Sequence, residues 1–443
     1  MSVTRRTSGG EPSDIGVFVR TLGCKVNQVE SGQIALELLG AGARLVAEDV
    51  ADAIVVNTCT VTGEADAKAR KAVRQALKAP SEPVVVVTGC LAALDREGFR
   101  ALGSRVVVEA RKEDVAERVL ELLSPVRAAQ TRSAATVEGI RAGEGFRSRL
   151  MVKIQDGCDA YCSYCIVPYA RGIPRPVPLH RIVSEVEHAR DAGVAEVVLT
   201  GINIGRYREG TARLAEVLEA VARTGIARLR ISSIEPLDLT GELLDVLGAL
   251  PNLCPHVHVP LQAGDDDVLR AMNRRYTTRE YAERIAMVRD VLGPLAVTTD
   301  VIAGFPGESP GQAERTAAFC EEMGFARLHV FRYSQRAGTP AAADRNQIEP
   351  HERSARAARL RAVDADLRRR YVASRLGWVA DALVERVDPR RSEGQGAGSM
   401  AEGTTEDYLK VSFPVRFAKP GDLVRVRLLS ASEGRVAGEP EVT

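Results

Sequence analysis

Four short apolar runs rich in β-branched residues mark the first quarter of the chain, at positions 15–19, 53–56, 84–87 and 105–108. A 3.6-residue helical pattern follows each of them. Strand then helix, repeated, predicts a parallel α/β domain. Between 150 and 334 the alternation recurs six times, with strands expected at 151–154, 196–199, 228–231, 256–260, 297–302 and 327–331. Gly193, Gly225, Gly293 and Gly324 fall where helix-ending caps are expected, just before the next strand. Six consecutive βα units with right-handed crossovers curl into an open, partial (β/α) barrel. From 379 the period changes. Short alternating runs at 381–386, 408–413 and 422–429, separated by glycine- and proline-containing turns, predict a small antiparallel β-barrel.

The fold class expected is therefore α/β: a parallel α/β amino-terminal domain, a six-unit partial (β/α) barrel and a small carboxyl-terminal antiparallel β-barrel. Residues 1–14 read as a disordered lead-in, 15–124 as the first domain and 125–147 as a small, polar linker. Residues 148–375 read as the partial barrel with a basic helical extension, and 376–443 as the terminal barrel.

With 443 residues the chain has room for two to four domains, each with an ordinary core. No run of eighteen apolar residues is present, and the first twenty residues lack the order of a signal peptide. A cytoplasmic protein without a membrane partner is expected. Sixty basic against 59 acidic residues leave a net charge of +1, so bulk charge announces no polyanion. Local charge differs: 351–375 carries eight arginines against Glu352, Asp364 and Asp366, either a solvated helix face or an RNA contact.

Eight cysteines in so long a chain make no disulfide scaffold, and reduced thiols in motif spacing favour metal binding or catalysis. Cys158, Cys162 and Cys165 form a CxxxCxxC loop directly after the first strand of the barrel. Three thiolates can hold a four-iron cluster with one iron open to substrate; the rival is a zinc knuckle completed by a distant fourth ligand. Cys24, Cys59 and Cys90 lie far apart in sequence, yet each follows a predicted strand of the first domain. Residues just past the carboxyl ends of parallel strands converge on one crevice. That placement predicts a second three-thiolate site, against the alternative of three unrelated buried cysteines. Cys254 and Cys320 read as packing residues.

In the terminal segment, Tyr408, Lys410, Phe413, Arg416, Phe417 and Lys419 interleave aromatic and basic groups. That mixture suits stacking on RNA bases, although aromatics in a small barrel also serve as its core.

The stretch 157–172 (GCDAYCSYCIVPYARG) resembles the cluster loop of radical S-adenosylmethionine enzymes, specifically the methylthiotransferases. TLGCKVNQVES at 21–31, NTCTVT at 57–62 and TGCL at 88–91 resemble the three cysteine motifs of that family's amino-terminal domain. Further matches are LTGINIGRY at 199–207, ISSIEP at 231–236, HVHVPLQAGDDDVLRAMN at 256–273 and TDVIAGFPGE at 299–308. GTTEDYLKV at 403–411 is similar to the TRAM barrel that ends such enzymes. Within the family, GCKVNQ at 23–28 resembles the branch acting on threonylcarbamoyladenosine in tRNA; Val29 departs from an aromatic common at its position.

The resemblance implies two 4Fe-4S clusters, on Cys158, Cys162 and Cys165 and on Cys24, Cys59 and Cys90, with S-adenosyl-L-methionine chelated at the first set. It implies that all six cysteines are catalytic, that Tyr164 packs beside the adenine, and that Gly201, Asn203, Ser232, Glu235, Gln262 and the 304–307 turn contact the cofactor. The implied reaction is methylthiolation of carbon 2 of N6-threonylcarbamoyladenosine next to the anticodon. The implied partners are the tRNA anticodon loop, an external electron donor and a sulfur source, with the enzyme a monomer and the tRNA running over Arg368, Arg369, Arg370 and the terminal barrel. Two other targets stay open within the enzyme class, an isopentenyladenosine in tRNA and a ribosomal-protein aspartate. Outside it stands a non-catalytic iron-sulfur or zinc protein that binds RNA.

Overall fold

The computed structural model describes residues 15–123, 148–388, 399–432 and 435–441. The expected lead-in (1–14) and linker (125–147) lie outside the described residues. The chain divides into two compact units, residues 1–139 and 140–443.

The first unit is a five-stranded parallel sheet built from β1 (Gly16–Thr21), β2 (Arg44–Leu45), β3 (Ala53–Thr58), β4 (Val84–Gly89) and β5 (Val106–Val108), in the order β2-β1-β3-β4-β5. The four expected strands are present. The added β2 is a two-residue exposed edge, too short to show an apolar run. β3 is buried along its whole length because both faces are covered. Ile54 and Val56 pack with Val73, Val85 and Phe99, while Ala53 and Val55 pack with Ile34, Leu38 and Val119 on the other face. A strand covered on both sides reads as a continuous apolar run, which is what 53–56 shows.

In the second unit, β6 (Leu150–Asp156), β8 (Glu196–Gly201), β9 (Arg228–Ile231), β10 (His256–His258), β11 (Ala296–Ala303) and β12 (Arg327–Arg332) are the six expected strands. β7 (Arg175–Pro176) adds a short antiparallel edge on β6. The ladder runs β7-β6-β8-β9 and then β10-β11-β12, bridged by the pairs Leu229↔Leu253 and Ser233↔His258. It makes an open, partial barrel. β10 stops at His258 rather than Pro260 because proline has no N–H to give the ladder.

The last strands, β13 (Val379–Asp388), β14 (Ser399–Thr405), β15 (Lys410–Val415), β16 (Leu423–Ser432) and β17 (Arg435–Pro440), close into a barrel in the order β13-β14-β15-β17-β16. Its core holds Ala382, Val384, Val411, Phe413, Val426 and Leu428. The hairpin after β14 docks at the amino-terminal ends of the partial-barrel strands. Arg230 donates to Glu406 O (2.6 Å) and lies 3.8 Å from the Tyr408 ring centre. Glu196, fully buried, is shared by Arg149, Arg228 and Arg230. Burying a carboxylate is costly unless it is paired, and three guanidinium groups here hold Glu196 below its ordinary range despite the opposing effect of burial.

The packing of the terminal barrel decides between the two readings open for these side chains. Phe413 is a core residue, Tyr408 is occupied by Arg230, Arg149 and His256, and Lys410 is paired with Glu385. None of the three is a free stacking group. Arg416, Phe417 and Lys419 are exposed, Phe417 at 96%. The arginine-rich stretch forms one helix, Pro350–Arg375, and much of its charge is used internally. Arg356 pairs with Glu308, Arg359 with Glu314 and Glu321, and Arg375 with Asp407. Arg369 and Arg370 stay largely exposed beside Asp366.

Candidate iron-sulfur sites

In the first unit, the three cysteines follow three adjacent strands. Cys24 caps the helix Lys25–Gly40 after β1, Cys59 follows β3, and Cys90 opens the helix that follows β4. The parallel register aligns Thr21 with Asn57 and Thr58 with Gly89, so all three thiols arise at one edge of the sheet. Cys24 is exposed, Cys59 and Cys90 buried. Burial, joined by repulsion from Cys24 and Cys90, pushes the Cys59 thiol up, so the three sulfurs interact.

Side chains between the strands fix these loops. Asn27 donates to Leu22 O (2.8 Å) and Thr58 O (3.0 Å), and Asn57 donates to Asn27 O (3.0 Å). Gly23 has φ +98°, and a Cβ there would lie 2.3 Å from the Cβ of Cys59. Only glycine permits that approach. Asn57 Oδ1 and Thr88 Oγ1, at the same strand ends, are buried without a protein partner.

In the second unit, the CxxxCxxC loop leaves β6 and is clamped from several directions. Gly157 has φ +78°, and a Cβ there would lie 2.1 Å from Ile173 O. Gln155 donates to the carbonyls of Asp156 and Gly157 (both 2.8 Å) and accepts from the Asn203 N–H (2.8 Å). Ser163 donates through its N–H to Met272 O (3.0 Å) and through Oγ to Ala271 O (2.7 Å). Asn273 donates to Tyr161 O (2.9 Å). A loop so tied holds its thiols before any ligand arrives.

Arg274 reaches into this loop. Its Nη1 donates to Cys162 Sγ at 3.4 Å, it is ion-paired with Glu235, and its Nε donates to the Tyr276 hydroxyl at 3.0 Å. Burial, with smaller contributions from Cys162 and Cys158, pushes the Cys165 thiol up to about 12. Burial likewise raises Cys158, with Cys162 and Glu235 adding to it. Such thiols stay protonated unless a metal displaces the proton.

Of the other candidates, Glu235 reaches the loop through Arg274, and Tyr164 is close enough to Arg274, Cys162 and Cys165 to share their field. Asn203 Oδ1 and Ser232 Oγ, just past β8 and β9, are buried without a protein partner. Leaving such groups unpaired costs about 1–3 kcal/mol each. A polar ligand with amino, carboxylate and hydroxyl groups fits that pair, and the clamped triad fits a metal cluster. Gly201 packs on Gln155, whose carbonyl would lie 2.9 Å from a Cβ. Gln262 has φ +69° and is bonded through its backbone to Asp300 and Ile302. In the 304–307 turn, Gly304 N–H donates to Glu308, and a Cβ on Gly304 would meet Arg353. Cys254 and Cys320 are buried packing residues, as expected.

Gln155 and Arg274 escaped the sequence reading. Gln155 carried no separate signal. Arg274 lies one residue past the 256–273 motif, in an Arg-Arg-Tyr run that reads as surface charge.

Residues 152–320 match the radical SAM superfamily, and residues 16–108 match a family described as "Uncharacterized protein family UPF0004". Over 428 residues, 94% of each chain, the sequence is 35% identical to the threonylcarbamoyladenosine tRNA methylthiotransferase MtaB of Bacillus subtilis. It is 33% identical to the tRNA-2-methylthio-N(6)-dimethylallyladenosine synthase of Syntrophobacter fumaroxidans, covering 97% of this chain and 96% of that one. Among solved structures, the radical S-adenosylmethionine methyltransferase TsrM of Kitasatospora setae superposes with a TM-score of 0.55 at 14% identity, over 74% of this chain and 77% of that one. That likeness concerns the fold.

Proposed function

This chain belongs to the radical S-adenosylmethionine methylthiotransferase family, and from that membership we propose that it places a methylthio group on carbon 2 of N6-threonylcarbamoyladenosine, next to the anticodon of tRNA. The observation that carries this reading is the pair of thiol triads, one at the carboxyl edge of each parallel sheet system. Cys158, Cys162 and Cys165 would hold one 4Fe-4S cluster with S-adenosyl-L-methionine, and Cys24, Cys59 and Cys90 a second. When bound, these groups supply a 5'-deoxyadenosyl radical to remove the hydrogen from carbon 2, and the sulfur and methyl group that replace it.

The chain's own residues bind, orient and exclude. Gln155, Ser163 and Asn273 hold the CxxxCxxC loop, so its three sulfurs keep their spacing with no reorganisation when a cluster binds. Arg274 lends a positive charge to the Cys162 sulfur and is itself steered by Glu235. Asn203 and Ser232 offer polar atoms to the cofactor's nucleoside or methionine part. Arg416, Phe417 and Lys419 present an exposed ring and two cations to single-stranded RNA. An anticodon-loop base leaves its stack at lower cost than one in a duplex, which suits a reaction at carbon 2 of a purine. A tRNA substrate places the work in the cytoplasm.

The family relative acting on dimethylallyladenosine, at 33% identity against 35%, favours a second reading, the isopentenyladenosine substrate. The GCKVNQ motif supports the first. Nucleoside mass spectrometry of tRNA from a strain lacking the gene decides between them. Loss of 2-methylthio-threonylcarbamoyladenosine, restored by the intact gene, is expected. Loss of the isopentenyl derivative instead would move the substrate assignment to the second reading.

A further inference from the structure

We propose that His258, Asp300 and His329 form a divalent-metal site of the zinc class on the inner face of the partial barrel, using none of the six motif cysteines. Their ligand atoms all lie within 4.8 Å of one another. They come from three neighbouring strands. β10, β11 and β12 are parallel, with His258 opposite Thr298 and Asp300 opposite His329. Residues two apart on a strand share a face, so Thr298 and Asp300 point the same way. The intervening Val257, Val297, Val301 and Leu328 belong to the apolar core on the other face.

The geometry is that of a three-ligand site. His258 Nε2 lies 3.2 Å from Asp300 Oδ1. Two ligands at about 2.0–2.1 Å from a tetrahedral zinc ion are roughly 3.3–3.4 Å apart, so this pair already has the spacing, and the exposed His329, within 4.8 Å of both, closes in by a side-chain rotation. The other nitrogen of His258 is 2.9 Å from Thr298 Oγ1, the outer contact that fixes the ring of a metal-bound histidine. Thr298 can accept that N–H while its own hydroxyl donates to His256 Nε2 at 3.0 Å. His329 is exposed, with its ring centre 5.5 Å from that of His258, and gives an ion a route in. Two imidazoles and a carboxylate suit zinc better than the hard cations that favour oxygen alone. Three protein ligands leave a fourth position for water or an anionic oxygen.

The test uses the full chain, anaerobically reconstituted with iron and sulfide, equilibrated with zinc chloride and passed through a desalting column. Zinc and iron are then counted by mass spectrometry. About one zinc per chain is expected, with the iron content unchanged. His329→Ala, at an exposed position, should retain at least tenfold less zinc with wild-type iron, and Asp300→Asn should do the same. Asp300 lies mid-strand, so if its variant loses iron as well, His329→Ala decides. Wild-type protein that retains less than a tenth of an equivalent overturns the proposal and leaves Asp300, His258 and Thr298 as a hydrogen-bonded relay. Zinc retained equally by the His329 variant also overturns it, because the ion would then be held elsewhere.

Discussion

Arg274 donates to the sulfur of Cys162 at 3.4 Å while Glu235 holds the same guanidinium from the other side. Hydrogen bonds and positive charge beside a cluster sulfur stabilise the reduced state and raise its potential. Arg274→Leu removes both and leaves Glu235 without its partner. A hydrogen bond to a charged group is worth about 1.5–3 kcal/mol, roughly a tenfold to hundredfold effect. The variant should keep its iron, show a more negative midpoint in an EPR-monitored redox titration, and release 5'-deoxyadenosine at least tenfold more slowly with dithionite. An unchanged midpoint would assign Arg274 to packing alone.

Two glycines test the separate roles proposed for the thiol triads without replacing a cysteine, although a Cβ on Gly23 would also come within 2.6 Å of the Cys59 sulfur. Gly23→Ala forces a Cβ to within 2.3 Å of the Cys59 Cβ at φ +98°, and Gly157→Ala forces one to within 2.1 Å of Ile173 O at φ +78°. Strain of about 1–2 kcal/mol from the backbone and about 1–3 from overpacking falls on one loop in each case. Gly23→Ala should drop iron from about eight to about four per chain. It should still cleave S-adenosylmethionine but transfer no methylthio group. Gly157→Ala should lose cleavage as well. If Gly23→Ala forms wild-type amounts of product, the role given to the first domain fails.

The strands were legible because each is a local pattern: 53–56 and 84–87 are apolar throughout, and the helices after them repeat every 3.6 residues. The positions of the cysteines were legible for a similar reason: Cys158 to Cys165 follow β6 and Cys24, Cys59 and Cys90 follow β1, β3 and β4, each read from a local run. Contacts that depend on tertiary register were not. Gln155 meets Asn203 across 48 positions and Arg274 meets Cys162 across 112. His258, Asp300 and His329 come together only because three strands align. Phe413 took the core alternative, inside the terminal barrel itself, and Tyr408 could not be read because it lies in the turn between β14 and β15, whose packing on Arg230 and His256 depends on tertiary contacts.

Glu185, on the helix Leu179–Asp191, carries a cost that depends on pH. Burial raises its carboxyl to about 7, against the opposing pull of Arg181 and Lys153. A folded-state value above the unfolded one means that the native state binds the extra proton. Stability is therefore lost as pH rises from the ordinary carboxylate range through about 7. Glu185→Gln should have little effect near pH 4 and stabilise at pH 8. The gain is at most about 3 kcal/mol, less because the side chain keeps some solvent contact. Thermal unfolding of both proteins at the two pH values checks this; a gain that is equal at pH 4 and pH 8 would exclude the ionisation as its cause.

Phe417 is 96% exposed, between Arg416 and Lys419, just past the end of β15. Exposing a whole aromatic ring to water contributes nothing to folding, so its removal should leave the melting temperature within a degree of wild type. Stacking one base on an aromatic ring is worth about 1–3 kcal/mol. Phe417→Ala should therefore weaken tRNA binding by roughly tenfold or more, at every salt concentration alike. Lys419→Gln acts through a phosphate instead, and should flatten the dependence of log affinity on log salt by about 0.7 to 0.9. Fluorescence anisotropy with labelled anticodon stem-loop, at several salt concentrations, distinguishes the two. Wild-type affinity in both variants would remove this loop from the RNA-binding surface and leave Arg369 and Arg370, on the long helix, as the cations to test next.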